Sequence, residues 1–363
     1  MRVTVVGGGA IGLSIAFALA RRQVEVTVVE RARAGGGASS AAAGMLAPLS
    51  ESPELDVLAR IGLQALTTFE EWLDPIEEMS GFRADLAHSG TLLLAPAGAS
   101  EDSLRRRLEW QQQLDSSVAF LDPDQVARLA PQLAPGFSAA HYPGEMQVDA
   151  HRYSEALRAA AQAAGVRLLE GTPVRRLDLS EGEVVAVTGR ERLASDVVVV
   201  ATGADDSLLT GSGFPLPLRP VKGEMVRLRP VERIGGPIIF APGGYLTPKP
   251  DGTILVGATQ IPDRYDLEVE AASVSQLLDF GLSLVPQLRE ATFVEAWAGL
   301  RPALPDRFPA LGPLDERGRL WVAVGHFRNG ILLSGWTAEA IAGALCDGGS
   351  TPVELAPGRP QLV

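Results

Sequence analysis

The feature that most constrains this chain is the way it opens. Val3-Thr4-Val5-Val6 is a short apolar run, and the pattern Gly7-x-Gly9-x-x-Gly12 follows it. Ala10 to Arg22 then places Ile11, Ile15, Ala18 and Leu19 at helical spacing, and Val24 to Glu30 alternates as a strand does. Together these segments make one βαβ unit. Its glycines have separate duties: Gly7 makes the turn, Gly9 lets backbone reach a pyrophosphate, and Gly12 lets the helix pack on the strand. The free N–H groups of Ala10, Ile11 and Gly12 and the positive end of the helix dipole then face the phosphates. Glu30 ends the second strand, where its carboxylate can accept a hydrogen bond from a ribose hydroxyl and would repel a 2′-phosphate. Arg31, beside it, is a further contact candidate. An ADP-containing dinucleotide is therefore expected, and NADP is disfavoured.

A signal peptide is the competing reading of the same apolar residues after Arg2, but four glycines interrupt them and they lead into a strand. No other uninterrupted apolar run reaches about 18 residues, so no integral membrane segment is expected. With 44 acidic against 32 basic side chains the net charge is -12, which argues against nucleic acid as a partner. The single cysteine, Cys346, cannot form an internal disulfide; this fits a reducing compartment and a cytoplasmic enzyme. At 363 residues and 46% hydrophobic content the chain can form two interleaved domains. Lys222 and Lys249 are its only lysines, so an arginine by itself carries little information.

After the βαβ unit, Gly35 to Gly44 contains only small residues. They read either as a flexible linker or as backbone that must approach a flat ligand closely. Leu55 to Met79 is expected to be one long amphipathic helix, Leu104 to Leu114 a polar one, and Pro123 to Pro143 loops with short elements. Tyr153 to Ala164 has helical register, and Val166 to Leu169, Val184 to Val187 and Val197 to Val200 read as strands. The last of these runs into Ala201-Thr202-Gly203, a second glycine turn. Between Leu218 and Ala258 the texture changes to alternating strands with turn residues, as in an antiparallel sheet. Val274 to Leu284 is a helix, and Leu320 to Val324, Gly325 to Gly330 and Thr337 to Leu345 restore a strand, turn and helix. An NAD enzyme normally completes its nucleotide fold contiguously. Here the glycine-flanked pieces lie at opposite ends of the chain, so a longer ligand, FAD, explains them better.

Four stretches are more specific than the glycine fingerprint: Gly37 to Pro48, Arg219-Pro220-Val221-Lys222-Gly223-Glu224, Trp297-Ala298-Gly299-Leu300-Arg301-Pro302 and Gly325 to Leu333. On these the chain resembles the D-amino acid oxidase-like flavoproteins, and within them the glycine oxidases of thiamin biosynthesis. The resemblance implies an α/β (overall α+β) protein. A Rossmann-like FAD-binding domain would be assembled from 1–80, 146–218 and 298–363, and a substrate domain with an antiparallel sheet from 81–145 and 219–297. It implies non-covalent FAD, since no cysteine stands near Arg301-Pro302, and Cys346 in the last helix is expected to be a small buried residue. Ala38 and Ser39 match diphosphate contacts; Ala42, Ala43, Gly44 and Met45 match the flavin lining; Val174 matches an adenine contact; and Ala201, Thr202 and Gly203 match a turn near the ADP. Gly325, His326, Arg328, Asn329, Gly330 and Ile331 match the turn at the pyrimidine edge of the flavin, where N–H donors stabilise the anionic reduced form.

Arg301, Arg328 and Tyr245 are the implied substrate ligands, because a guanidinium can hold a planar carboxylate with two parallel hydrogen bonds. The implied reaction is oxidation of glycine, sarcosine or small D-amino acids by hydride transfer from Cα to flavin N5, with dioxygen as acceptor. The products are an imine or 2-oxo acid, ammonia and hydrogen peroxide. A dehydrogenase passing electrons to a quinone is the alternative. No side-chain base is required and no metal site is indicated; a homo-oligomer is expected. Glu51 and Asp149 read as surface or capping acids, and His326 as a less favoured general base. Gly243 and Gly244 stand before Tyr245 where a glycine oxidase has a histidine, which would widen the pocket.

Overall fold

The computed structural model describes residues 1–96, 99–179 and 183–362. Its first layer is a six-stranded sheet in the order Ala310–Pro313, Leu320–Val324, Val197–Val200, Arg2–Val6, Glu25–Val29, Arg167–Leu169. All neighbours are parallel except the edge strand Ala310–Pro313. Val197–Val200 is buried throughout, as a strand covered on both faces must be. Helices Ala10–Arg21, Ala150–Ala163 and Ser334–Cys346 pack on one face. A three-stranded antiparallel meander, Val174–Leu179, Val184–Thr188 and Arg192–Ser195, closes the other through Leu177, Ala186 and Leu193.

A second sheet of nine strands is built around the long antiparallel pair Arg219–Arg229 and Thr292–Ala303. Helix Ala271–Leu284 covers one face, with Leu277 and Leu284 in its core. The antiparallel texture expected from Leu218 onward is present, with one parallel pair, Ile238–Ala241 beside Thr91–Pro96.

Two local expectations are corrected and a third is made specific. Leu55 to Met79 is two helices, Val57–Thr67 and Phe69–Ser80, because Thr67 and Thr68 hydroxyls both donate to the Gln64 carbonyl and divert the turn there. The short elements expected between Pro123 and Pro143 are helix Pro123–Leu129 and sheet strand Phe137–Tyr142, the latter without the β-branched residues that would announce it. Cys346 is exposed, at the end of its helix.

The C-terminal helix reaches the core through a missing side chain. A Cβ at Gly335 would lie 2.5 Å from Trp72 Cγ. The Trp72 indole donates to the Tyr153 hydroxyl at 2.9 Å, which in turn pairs with Ser334 Oγ at 2.6 Å. Gly335→Ala should therefore destabilise the fold by about 1–3 kcal/mol through overpacking. Denaturant unfolding would check this, and an unchanged midpoint would contradict the packing.

Candidate active site

At the nucleotide end, Gly7 turns with φ +108, and a Cβ there would collide with the Ala201 carbonyl. The two glycine turns, Gly7 to Gly12 and Ala201-Thr202-Gly203, are thus in backbone contact. A Cβ at Gly12 would collide with the Gly7 carbonyl, so helix Ala10–Arg21 starts directly against the strand end. Glu30 is fixed over this turn, accepting from Gly8 N at 2.7 Å and Ala32 N at 2.8 Å. Ser39 reaches the helix start, its Oγ accepting from Ala10 N at 2.8 Å. Arg31 pairs with Asp205 beyond the second turn, and half-buried Val174 opens the first strand of the meander.

The small-residue stretch is not a linker. Trp297 Nε1 donates to the Ala41 carbonyl at 3.0 Å, and a Cβ at Gly299 would lie 2.8 Å from that of Ala41. On its other side Gly44, at φ +78, pairs with Val148, and Met45 with Gln147. Buried Lys249 donates to Ala43 O at 2.5 Å, Gln147 Oε1 at 2.9 Å and Val148 O at 3.0 Å. Burial pulls this ammonium down to about 7. These residues fit FAD: a glycine turn leaves backbone room for a diphosphate at a helix N-terminus, and Ala41 to Gly44 give a lining without bulky side chains.

From the opposite side, strand Leu320–Val324 ends in Gly325 at φ +81, and Phe327 N donates to Pro302 O at 2.8 Å. The turn that carries Arg328, Asn329, Gly330 and Ile331 is thereby tied to the strand that carries Arg301. His326 faces inward: Nε2 is 3.0 Å from Thr337 Oγ1, and burial pushes the imidazole down to about 3. It stays neutral near pH 7 and has its partner inside the protein, which argues against a general base.

Arg301, Arg328 and Tyr245 are brought together. The Arg301 guanidinium lies over Gly223, where any Cβ would collide with it, and donates to Thr259 O at 3.2 Å. Burial, with Arg328 as a like-charged neighbour, lowers the Arg301 pKa, while Tyr245 and Glu51 act in the opposite sense. Tyr245 is buried over Gly257, whose Cβ would touch its ring; burial raises its hydroxyl, against Arg301 and Arg328. A Cβ at 243 would lie 3.6 Å from Phe280, and one at 244 would collide with the Gly257 carbonyl and crowd Phe280, which packs on the core of the other face of the sheet. The expected widening of the pocket at Gly243-Gly244 is therefore not what these glycines do.

Glu51 is the residue that sequence reasoning misplaced. It is no surface acid: its Oε2 is 2.5 Å from Arg328 Nε, with the two side chains only 12% and 24% exposed. Asp149 does cap a helix, accepting from Arg152 N. The short helix Pro48–Glu51 is held at both ends. Glu145 accepts from Leu49 N at 2.9 Å, Ser50 N at 2.8 Å and Ser50 Oγ at 2.7 Å. Arg107 donates to Ser50 O at 2.6 Å, and Gln111 to Leu49 O at 2.6 Å. Only Lys249 left a signal, as one of two lysines in an arginine-rich chain.

The chain belongs to the DAO family of FAD dependent oxidoreductases, which it matches over residues 2–344. It is an enzyme and an FAD flavoprotein. It is 37% identical over 361 residues to glycine oxidase of Geobacillus kaustophilus, covering 98% of this chain and 95% of that protein. The crystal structure of glycine oxidase from Geobacillus kaustophilus matches with a TM-score of 0.95 at 35% identity, covering 99% of both chains. A bifunctional ThiO/ThiG protein of Nostoc is 33% identical over 357 residues, 97% of this chain but 53% of that protein.

Burial is the largest influence on Glu145, pushing it from an ordinary 4.5 up to about 7. The folded protein then binds more protons than the unfolded chain between those values. This carboxyl's contribution to stability is full below about pH 4.5 and is lost as pH rises through 7. Tm of wild type relative to Glu145→Gln should fall between pH 5 and pH 8; a difference independent of pH would contradict the assignment.

Proposed function

We propose that this enzyme oxidises the amine of glycine and other small amino acids, sarcosine and small D-amino acids among them, with dioxygen as electron acceptor. The observation that carries this reading is the Arg301 guanidinium, laid over Gly223 beside Arg328 and Tyr245. A small α-amino acid has the planar carboxylate that such a fork binds with two hydrogen bonds. Tyr245 can donate a third, since burial keeps its hydroxyl protonated. Binding by the carboxylate fixes Cα and leaves the amine free, and orientation is the main requirement for loss of a hydride.

When bound, FAD supplies the two-electron acceptor for the Cα–H hydride and is reoxidised by dioxygen to give hydrogen peroxide. The imine then hydrolyses to a 2-oxo acid and ammonia, or methylamine when the substrate is sarcosine. In this reading FAD is non-covalent. Gly7, Gly9, Gly12, Glu30, Ala38 and Ser39 serve its ADP half, Ala42 to Met45 its ring, and the Gly325 to Ile331 turn its pyrimidine edge. The likeness to glycine oxidases and to a ThiO/ThiG protein supports this substrate class and a role in thiamin biosynthesis. The FAD-binding part would comprise 1–80, 146–218 and 298–363, with strand Thr292–Ala303 spanning the last boundary. No helix among the described residues is long and apolar enough to cross a membrane.

Removing one partner of a buried ionic contact costs about 2–5 kcal/mol. Arg301→Ala should thus lower kcat/KM for glycine and sarcosine by about 30- to 5,000-fold. Oxygen uptake by the holoenzyme measures it, and an unchanged kcat/KM would remove Arg301 from the substrate site. Dye reduction without oxygen uptake would replace oxygen as acceptor.

A further inference from the structure

The pocket holds two guanidinium groups and one carboxylate, and their pairing is unequal. Arg328 is engaged by Glu51 through Nε at 2.5 Å, whereas Arg301 donates to a neutral carbonyl, Thr259 O, at 3.2 Å. Tyr245 is neutral. The fixed charges therefore leave one cation uncompensated. Glu51 is presented from a fixed backbone, because Glu145, Arg107 and Gln111 clamp its short helix at Leu49 and Ser50.

We propose that Glu51 is a specificity-determining residue: by occupying Arg328 it matches the pocket to an amino acid with one carboxylate and rejects those with two. This rests on the amino acid oxidase reading above. A second carboxylate reaching Arg328 must displace Glu51 or be buried beside it, and like charges at such a site are strongly disfavoured. Specificity would then come from a repulsive element as much as from the attraction of Arg301. Sarcosine and iminodiacetate make the discriminating pair, since they share a secondary amine and differ by one carboxylate.

Glu51→Gln keeps the shape and an acceptor oxygen for Arg328 Nε while removing the charge; Glu51→Asp keeps the charge. In Glu51→Gln the ratio of kcat/KM for iminodiacetate to that for sarcosine should rise on the order of tenfold or more, mainly through KM for iminodiacetate. In Glu51→Asp it should stay near the wild-type value. Wild-type holoenzyme offers a test that needs no variant: acetate and malonate binding, read from perturbation of the visible flavin spectrum. Acetate should bind at least as tightly as malonate, and Glu51→Gln should reverse that order. A ratio unmoved by Glu51→Gln, or wild type binding malonate about tenfold more tightly than acetate, would overturn the proposal. If no amine reduces the flavin, the amino acid oxidase reading fails, while the acetate–malonate order still reports the charge balance at Glu51.

Discussion

The nucleotide end of the molecule depends on one backbone contact, between Gly7 and Ala201. Strands Arg2–Val6 and Val197–Val200 lie side by side and parallel, so both release their turns at the same edge of the sheet. The turns fit together because residue 7 has no Cβ, and the helix that follows begins where it does because residue 12 has none. Helix position then settles the rest: the dipole end faces outward at the sheet edge, Glu30 finds the amides of Gly8 and Ala32, and Ser39 reaches Ala10. A single methyl group at either position would separate helix from strand and disperse these groups.

The small-residue stretch Gly35 to Gly44 and the two sheets then meet along one seam. Ala41 to Met45 is pinned to the second sheet by Trp297 on one side and Lys249 on the other. The charged pocket lies across this seam, because Arg301 comes from the strand that carries Trp297 and Arg328 from the turn bonded to Pro302. Burying two guanidinium groups together is costly unless an anion accompanies them. Glu51 is that anion for Arg328; for Arg301 we propose that the substrate carboxylate completes the set.

Much of the nucleotide end was legible because it is local: a strand, three glycines, a helix and an acid within one unit, and an all-valine strand that reads as buried. The pocket was legible only in part. Arg301, Arg328 and Tyr245 could be named through family motifs, but Glu51 pairs with a residue 277 positions away, and no periodicity carries such information. Strand Phe137–Tyr142 was hidden by its alanines and strand Thr292–Ala303 by Gly299 and Pro302, each placed by tertiary pairing that overrides propensity. The break at Thr67–Thr68 came from side-chain hydroxyls competing for one carbonyl, a choice that hydrophobic spacing does not register.

The most direct test is anaerobic mixing of the FAD-loaded protein with matched amines while the visible flavin band is followed. Glycine, sarcosine and D-alanine should bleach the flavin, whereas methylamine, dimethylamine and ethylamine, which lack the carboxylate that Arg301 would hold, should not. Bleaching by both sets alike, or by neither, would contradict oxidation of a carboxylate-anchored amino acid at this site.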